Sequence, residues 1–316
     1  MVERPRRRAA DRVIRLPRAK PERVTVAPAR RPRQPISPPV ALALGFAALI
    51  ALGTLLLMLP ASAAGGVSPS FSTALFTAAS AVTVTGLVVV DTATYWSPLG
   101  HAVILALIQV GGLGFMSAST VLLLALGRRL SLRYRLLLRE AVGEAGFGGL
   151  GELVKRIVLY TLIVELAGAV VLTLRFAQDR PWGEAAWLGV FHSVSAFNNA
   201  GFDLFPNYQS LTSFTTDAVV VLTMAALIIL GGISYVVVAD VLRARSFTRL
   251  SLTSKIVLST SVVLWSLGTA VLLLTERSNP ATLGGLPPWA AVMNAFFMSV
   301  TPRTAGFTTI GLGAAR

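Results

Sequence analysis

The chain has 316 residues, 54% of them hydrophobic and 13% charged, and its mean hydropathy of +0.71 is too high for an ordinary soluble domain of this length. It has no Cys and two His, which excludes a disulfide framework and a Cys-based zinc or iron–sulfur site, so we expect no cofactor. The formal net charge of +14 would indicate nucleic-acid binding only if the basic residues lined a folded surface.

The first 37 residues form a basic head that is rich in Pro and lacks hydrophobic periodicity. This composition predicts a disordered tail. A basic segment directly before an apolar run is typical of a cytoplasmic tail near anionic lipid, so we expect membrane lipid, and no nucleic acid, as its partner. The head contains twelve of the 28 basic residues: Arg4, Arg6, Arg7, Arg8, Arg12, Arg15, Arg18, Lys20, Arg23, Arg30, Arg31 and Arg33.

Five later runs are apolar over the length of about 20 residues that a membrane-spanning helix needs. Three semi-apolar segments between or after them are too short to span. Basic clusters at 128–156 and 243–255 lie between runs, and the positive-inside rule places them, with the N-terminus, in the cytoplasm of a multi-pass plasma-membrane protein. The runs are 39–59, 98–127, 153–174, 217–242 and 255–275, and the short segments are 70–82, 184–197 and 288–300.

The short segments have both flanking loops on the non-cytoplasmic side, so each must enter and leave the membrane by the same face. Non-helical backbone at membrane depth must be buried in protein or line a water-filled cavity. The pattern therefore predicts an all-α integral membrane fold of repeated helix, pore loop, helix units, as in K⁺ channels.

Internal repeats support this architecture. Each short segment contains a Phe that is followed, after nine residues, by a Gly, at 76–86, 191–201 and 296–306. A second match pairs residues 106–115 with 226–235, and its glycines are Gly111, Gly112 and Gly114 in one copy and Gly231 and Gly232 in the other. We therefore divide the chain into a first unit (38–140), a second unit (141–250) and a partial third unit (251–316), with a fourth unit absent.

The segments around the three repeated glycines are the candidate selectivity filter. A dehydrated cation needs oxygen ligands, and rings of backbone carbonyls supply them without net charge. Gly permits the positive φ that turns a carbonyl inward, and strands poor in carboxylates favour K⁺ over Ca²⁺ or Mg²⁺. Close helix packing or a plain turn would also account for any one of these glycines. The candidate residues are Thr83, Val84, Thr85, Gly86, Asn198, Asn199, Ala200, Gly201, Arg303, Thr304, Ala305 and Gly306.

These motifs resemble the Trk/Ktr/HKT superfamily of potassium transporters, in particular its bacterial Ktr and Trk pore-forming subunits, over about residues 38–316. The resemblance rests on residues 83–87, 109–114, 197–202 and 301–307. It implies a pseudo-fourfold pore of four units around one narrow K⁺ site, with Na⁺ dependence as an option. It also implies a homodimer on a cytoplasmic ring of nucleotide-binding regulatory subunits of the RCK/KTN type.

The sequence departs from the family pattern at its end, because it stops at Arg316, ten residues after Gly306. The third inner helix and the fourth unit are then missing. We expect the chain to be a fragment of a transporter subunit and not to conduct by itself.

Several polar residues have two interpretations. Glu165, in the third apolar run, is either a proton relay or a structural carboxyl group. Arg303 either anchors its strand away from the pore or controls permeation, and Asp91 and Asp203 either concentrate cations at the outer mouth or are solvated loop charges. We assign no role to His192.

Three other functions compete with a K⁺ pore. A membrane enzyme would need paired carboxylates, a Ser/His/Asp set or a metal cluster, and the sequence has none of these, so we expect no enzyme. A non-conducting interaction protein would share every motif. A secondary transporter also uses repeats and broken helices, but three like filter segments fit a rotational pore better.

Overall fold

The structure is a computed structural model and describes residues 38–127 and 147–315. The predicted basic head, the cluster from Arg128 to Arg139 and the unit boundary at residue 140 lie outside the described residues. The helices are α1 (Pro38–Leu57), α2 (Phe71–Val82), α3 (Thr92–Tyr95), α4 (Pro98–Gly127), α5 (Phe147–Phe176), α6 (Trp182–Phe197), α7 (Ala218–Gly232), α8 (Tyr235–Ala244), α9 (Leu252–Glu276) and α10 (Pro288–Val300).

The described part of the chain is helical, with one isolated bridge between Ala63 and Trp96 in place of a sheet. The three short predicted segments form α2, α6 and α10, which confirms the all-α fold and its short helices. Two helices are long and apolar enough to cross a membrane, Glu152–Phe176 within α5 and the whole of α9. The predicted runs 39–59 and 98–127 form α1 and α4, in which Leu42–Leu57 and Pro98–Gly114 are the apolar stretches among the described residues.

The prediction of one uninterrupted span over 217–242 is wrong. The run forms α7 and α8, which together are long and apolar enough to span but meet at a bend of 99°. Ile233 and Ser234 both adopt extended backbone angles, ψ 129° and 138°, which end the helical hydrogen-bond ladder. Gly231 and Gly232 directly precede them, and each Gly costs a helix about 1 kcal/mol relative to Ala.

Polar residues at the helix starts explain where the helices begin. Ser70 accepts a hydrogen bond from Thr73 N at 3.2 Å before α2, and Asp217 accepts one from Val220 N at 3.1 Å before α7. Such caps satisfy backbone donors that have no partner inside the helix. Asp217 also pairs with Arg175 Nε at 2.6 Å, which ties the end of α5 to the start of α7.

The helices pack in a repeated order. In the first unit α1, α2 and α4 contact one another, in the second α5, α6 and α7 do so, and in the third α9 packs on α10. The inner helix of each complete unit also contacts the pore helix of the next unit, α4 on α6 and α7 on α10. The same relation therefore links the first unit to the second and the second to the third.

Candidate selectivity filter

The three segments that follow the pore helices share one backbone conformation. The filter glycines have φ of 77°, 73° and 80°, and the residues two positions earlier have φ of 48°, 56° and 69°. These earlier residues are not glycines, and a β-branched side chain at positive φ is a genuine outlier. The register predicted from the repeat is therefore the register of the backbone, with Val84, Asn199 and Thr304 at one position and Gly86, Gly201 and Gly306 at the other.

In the first two strands, N–H groups are bound to the pore helices. Thr85 N donates to Ser80 O at 2.9 Å, and Ala200 N donates to Ser195 O at 2.8 Å. In the third strand, Ala305 N donates to Thr301 O at 3.0 Å, directly after the pore helix. Among the described residues, the carbonyls from Val84 to Gly86, from Asn199 to Gly201 and from Thr304 to Gly306 accept no hydrogen bond. Each strand therefore has free carbonyl oxygens, as oxygen ligands for a cation require.

The three strands meet at their glycines. A methyl group added at Gly86 would lie 2.5 Å from the carbonyl oxygen of Ala200, and one at Gly201 would lie 2.6 Å from that of Ala305. Gly86 and Gly201 thus each face the residue that precedes the glycine of the next strand. A methyl group at Gly306 would meet only the Cα of Gly201, at 3.7 Å.

The solvent exposure of the three strands follows from the order in which they contact one another. Asn198, Asn199 and Ala200 in the middle strand are buried. The outer strands have a neighbour on one side only, and their exposed residues are Thr83, Thr85, Arg303, Thr304 and Gly306.

The inner-helix glycines let α4 and α7 approach the ends of the pore helices. A methyl group at Gly111 would lie 2.0 Å from Val82 O, and one at Gly231 would lie 1.6 Å from Phe197 O. These two carbonyls are equivalent, because each lies four residues before its filter glycine. The repeated match between α4 and α7 therefore has a structural reason.

The other motif glycines differ from one another. Gly112 contacts the Asn198 side chain of the second filter, where an added methyl group would lie 1.9 Å from Oδ1. Gly114 has only Phe46, at 3.8 Å, and Gly232 has Asn199 and Arg303, at 3.7 and 3.8 Å. The motif thus serves the second filter as well as the first, which sequence reasoning did not anticipate.

The residue three positions before each filter glycine makes a different bond in each unit. Thr83 Oγ1 donates to Ala79 O at 2.7 Å and lies 2.6 Å from Thr85 Oγ1, so these hydroxyls are engaged with neighbouring protein groups. Asn198 Nδ2 donates to Glu165 Oε1 at 2.9 Å. Arg303 Nη1 donates to Ser261 Oγ at 3.3 Å, which directs this cation toward α9.

The outer ends of the strands are held by residues that sequence reasoning left without a role. Ser195 Oγ donates to Phe202 O at 2.6 Å, and Thr301 Oγ1 donates to Phe307 O at 2.7 Å. His192 Nε2 accepts from Leu204 N at 3.2 Å. Because the ring's other nitrogen lies 2.7 Å from Leu188 O, His192 is a neutral imidazole that donates from Nδ1 and ties the pore helix to the chain beyond the filter.

The loop after the second filter reaches both neighbouring filter loops. Asn207 N donates to the carboxylate of Asp91, and Leu211 N donates to Thr308 O at 2.9 Å. Asp203 is bonded within its own loop, where its Oδ1 accepts from Phe205 N at 3.0 Å. At the outer mouth, the loop of the middle unit is therefore hydrogen-bonded to the loops of both neighbouring units.

Sequence reasoning also missed a glycine in each outer helix. Gly168 faces Ser193 and Gly268 faces Ser299, where added methyl groups would lie 2.6 and 2.2 Å from the hydroxyl oxygens. Gly53 faces Leu107 and Ala78. The spacing from Gly53 to Gly168 equals that from Gly86 to Gly201, and this signal could have revealed the first pair.

Comparisons with known proteins agree with this geometry. Residues 39–316 match the sequence model of the TrkH family, described as cation transport protein. The Ktr system potassium uptake protein B of Bacillus subtilis (strain 168) is 41% identical over 280 residues, which cover 89% of this chain and 62% of the relative. The protein of the same name from Vibrio alginolyticus is 41% identical over 271 residues, covering 85% and 59%.

Two further comparisons extend the result. The potassium/sodium uptake protein NtpJ of Enterococcus hirae is 37% identical over 281 residues, covering 89% of this chain and 62% of the relative. The crystal structure of the potassium transporter TrkH from Vibrio parahaemolyticus has a TM-score of 0.64 at 20% identity and covers 87% of this chain and 52% of that chain, which is a likeness of fold.

The chain spans between 59% and 62% of the length of these curated relatives. The resemblance to the Trk/Ktr/HKT superfamily is confirmed, and so is the expectation that the chain is not an enzyme, since the relatives are transporters. The chain belongs to the TrkH family of cation transport proteins.

Proposed function

We propose that this chain supplies filter strands to a pore that carries K⁺ across the cell membrane. The observation that carries the proposal is the set of carbonyl oxygens at 84–86, 199–201 and 304–306, which accept no hydrogen bond among the described residues. Carbonyl dipoles can replace the hydration shell of a monovalent cation. The names of the relatives, potassium uptake proteins, support K⁺ as that cation.

The complete pore has a fourth strand beside Gly306 in this proposal. Its support is the contact that Gly86 and Gly201 each make with the next strand, together with the exposure of the two outer strands. If a fourth strand made the same contacts, the residue before its glycine would lie against Gly306, and its glycine would lie against residue 85. A rotational ring of like strands also fits a pore better than a secondary transporter.

The finer features rest on the resemblance. The pore works as a homodimer on a cytoplasmic nucleotide-binding subunit of the RCK/KTN type, with the N-terminus in the cytoplasm and with no bound cofactor. Na⁺ enters as a co-transported or activating ion, which the printed name of NtpJ, a potassium/sodium uptake protein, supports.

The test is Rb⁺ uptake by cells that lack their own K⁺ uptake systems. Cells would express the full reading frame with its cytoplasmic partner, or the 316-residue chain with the same partner. We expect saturable uptake from the full frame, inhibited more strongly by K⁺ than by Na⁺, and none from the 316-residue chain. No uptake from the full frame would contradict K⁺ transport, and equal uptake from both would contradict the fourth strand.

A further inference from the structure

A carboxyl group lies buried beside the second filter strand. Glu165 is in the middle of α5 and is 4% exposed. Its Oε1 accepts a hydrogen bond at 2.9 Å from Nδ2 of Asn198, the residue that begins the strand. An ionisable group at this depth is costly and usually serves a specific partner, and here the partner is a filter residue.

The Asn198 side chain is hydrogen-bonded through Nδ2 and packed through Oδ1. Its Nδ2 also donates to Val194 O at 2.9 Å, and its Oδ1 lies against Gly112, where an added methyl group would be 1.9 Å away. The next residue, Asn199, has φ 56°. The amide therefore has one orientation, and the strained turn into the strand starts from it.

Comparison with the third unit separates the contact of the Glu165 backbone from the contact of its side chain. Ser193 Oγ donates to Glu165 O at 2.6 Å, and Ser299 Oγ donates to Trp265 O at 2.9 Å. Each acceptor lies three residues before an outer-helix glycine, so Glu165 and Trp265 occupy equivalent positions. The backbone contact is thus common to both units, whereas the carboxyl group belongs to the second unit alone.

We propose that Glu165 is a positioning residue of the selectivity filter: by accepting the Asn198 amide it sets the carbonyls of 198–201 and, through them, the preference for K⁺ over Na⁺. The inference rests on the proposed function. Glu165 does not contact the ion. Without this hydrogen bond, the carbonyl groups of the strand rotate away from the spacing that suits K⁺. A variant that lacks the bond therefore loses selectivity while it still transports ions.

The test compares Glu165→Gln, Glu165→Leu and a control in the full reading frame. Gln keeps an acceptor oxygen for the Asn198 amide, whereas Leu has similar size and no acceptor. The control is Thr161→Val, because Thr161 is 0% exposed, lies one turn earlier on α5, and its hydroxyl has no partner among the described residues.

We expect Glu165→Leu to lower the K⁺ over Na⁺ preference in Rb⁺ competition about tenfold, with a smaller change in maximal uptake. Glu165→Gln and Thr161→Val should keep the wild-type preference. Equal loss in Gln and Leu would assign the effect to charge and overturn the proposal, as would an unchanged preference in Leu. Absent uptake from the wild-type protein would instead count against the proposed function.

A second measurement does not need transport. The purified full-length protein would be compared by thermal unfolding as wild type, Glu165→Leu, Asn198→Ala and the double variant. If the two side chains act on each other, Glu165→Leu lowers Tm less in the Asn198→Ala background than in the wild type. Additive shifts in Tm would overturn the proposal.

Discussion

Val84 shows at the scale of single residues how the site differs from the rest of the fold. It is β-branched, yet its φ is 48°, and a residue held in such a region costs about 1–3 kcal/mol. Nothing in its side chain favours this conformation. The bonds of the neighbouring N–H groups to α2 impose it, so the strain is a property of the filter and not of Val84.

Gly201 is the residue where a small substitution should matter most. Ala at this position would combine left-handed strain of about 1–2 kcal/mol with a methyl group 2.6 Å from Ala305 O. We expect Gly201→Ala to weaken apparent Rb⁺ affinity by roughly tenfold or more, since 1.4 kcal/mol is a factor of ten. Kinetics of Rb⁺ uptake by the full-length protein measure this.

Gly65→Ala is the matched control for that variant. Gly65 lies in the loop between α1 and α2 and has nothing within 4 Å of an added methyl group. The Gly65→Ala variant should retain wild-type uptake. Equal affinities for Gly201→Ala and the wild type would show that the second strand does not line the ion path.

The buried carboxyl group of Asp203 should make the apparent cation affinity at the outer mouth depend on pH. Burial raises the pKa of Asp203 to about 6, against the lowering effect of the hydrogen bond from Phe205 N, and Asp91 contributes in the raising direction. Since the folded pKa is the higher one, the folded state gains stability from this proton at low pH and loses it as pH rises through about 6. The negative charge that attracts cations has the opposite dependence and is present only above that pH.

We therefore expect apparent Rb⁺ affinity to fall as the external pH drops through about 6. Asp203→Asn should show low affinity at all pH values and no step in this range. Uptake measured at subsaturating Rb⁺ tests this. A step of wild-type size in Asp203→Asn would assign the titration to another group.

At the scale of elements, the inner helices are positioned by single glycines. A methyl group at Gly111 would overlap Val82 O, at 2.0 Å, whereas one at Gly114 would meet only Phe46, at 3.8 Å. Overpacking of this kind typically costs about 1–3 kcal/mol, while Ala in an open helical position gains about 1 kcal/mol over Gly.

Gly111→Ala should consequently lower the Tm of the purified protein, and Gly114→Ala should leave it unchanged or raise it. Thermal unfolding in one detergent compares the two variants directly. A lower Tm for Gly114→Ala than for Gly111→Ala would mean that α4 does not approach α2 in this register.

The elements also show what a sequence can and cannot predict. The pore helices and the filter register were predictable because a glycine, a preceding Phe and a fixed spacing recur three times. The bend between α7 and α8 was not, since the residues on both sides of Ser234 are apolar and hydropathy does not report backbone angles. The contact of Gly112 with Asn198 was equally hidden, because a repeat does not state which neighbouring unit its side chains meet.

In the molecule as a whole, the same contact joins the first unit to the second and the second to the third. The inner helix of one unit lies against the pore helix of the next, and Gly86 and Gly201 each face the next strand. The proposed pore has one ion site on the axis of this array, to which every unit contributes equivalent carbonyl oxygens.

The most direct test of that claim is anomalous diffraction from crystals of the full-length protein grown in Rb⁺. We expect a Rb⁺ peak on the axis between the three strands, within coordination distance of the carbonyl oxygens of Thr85, Ala200 and Ala305. Rb⁺ peaks confined to the outer loops, with none between the strands, would contradict it.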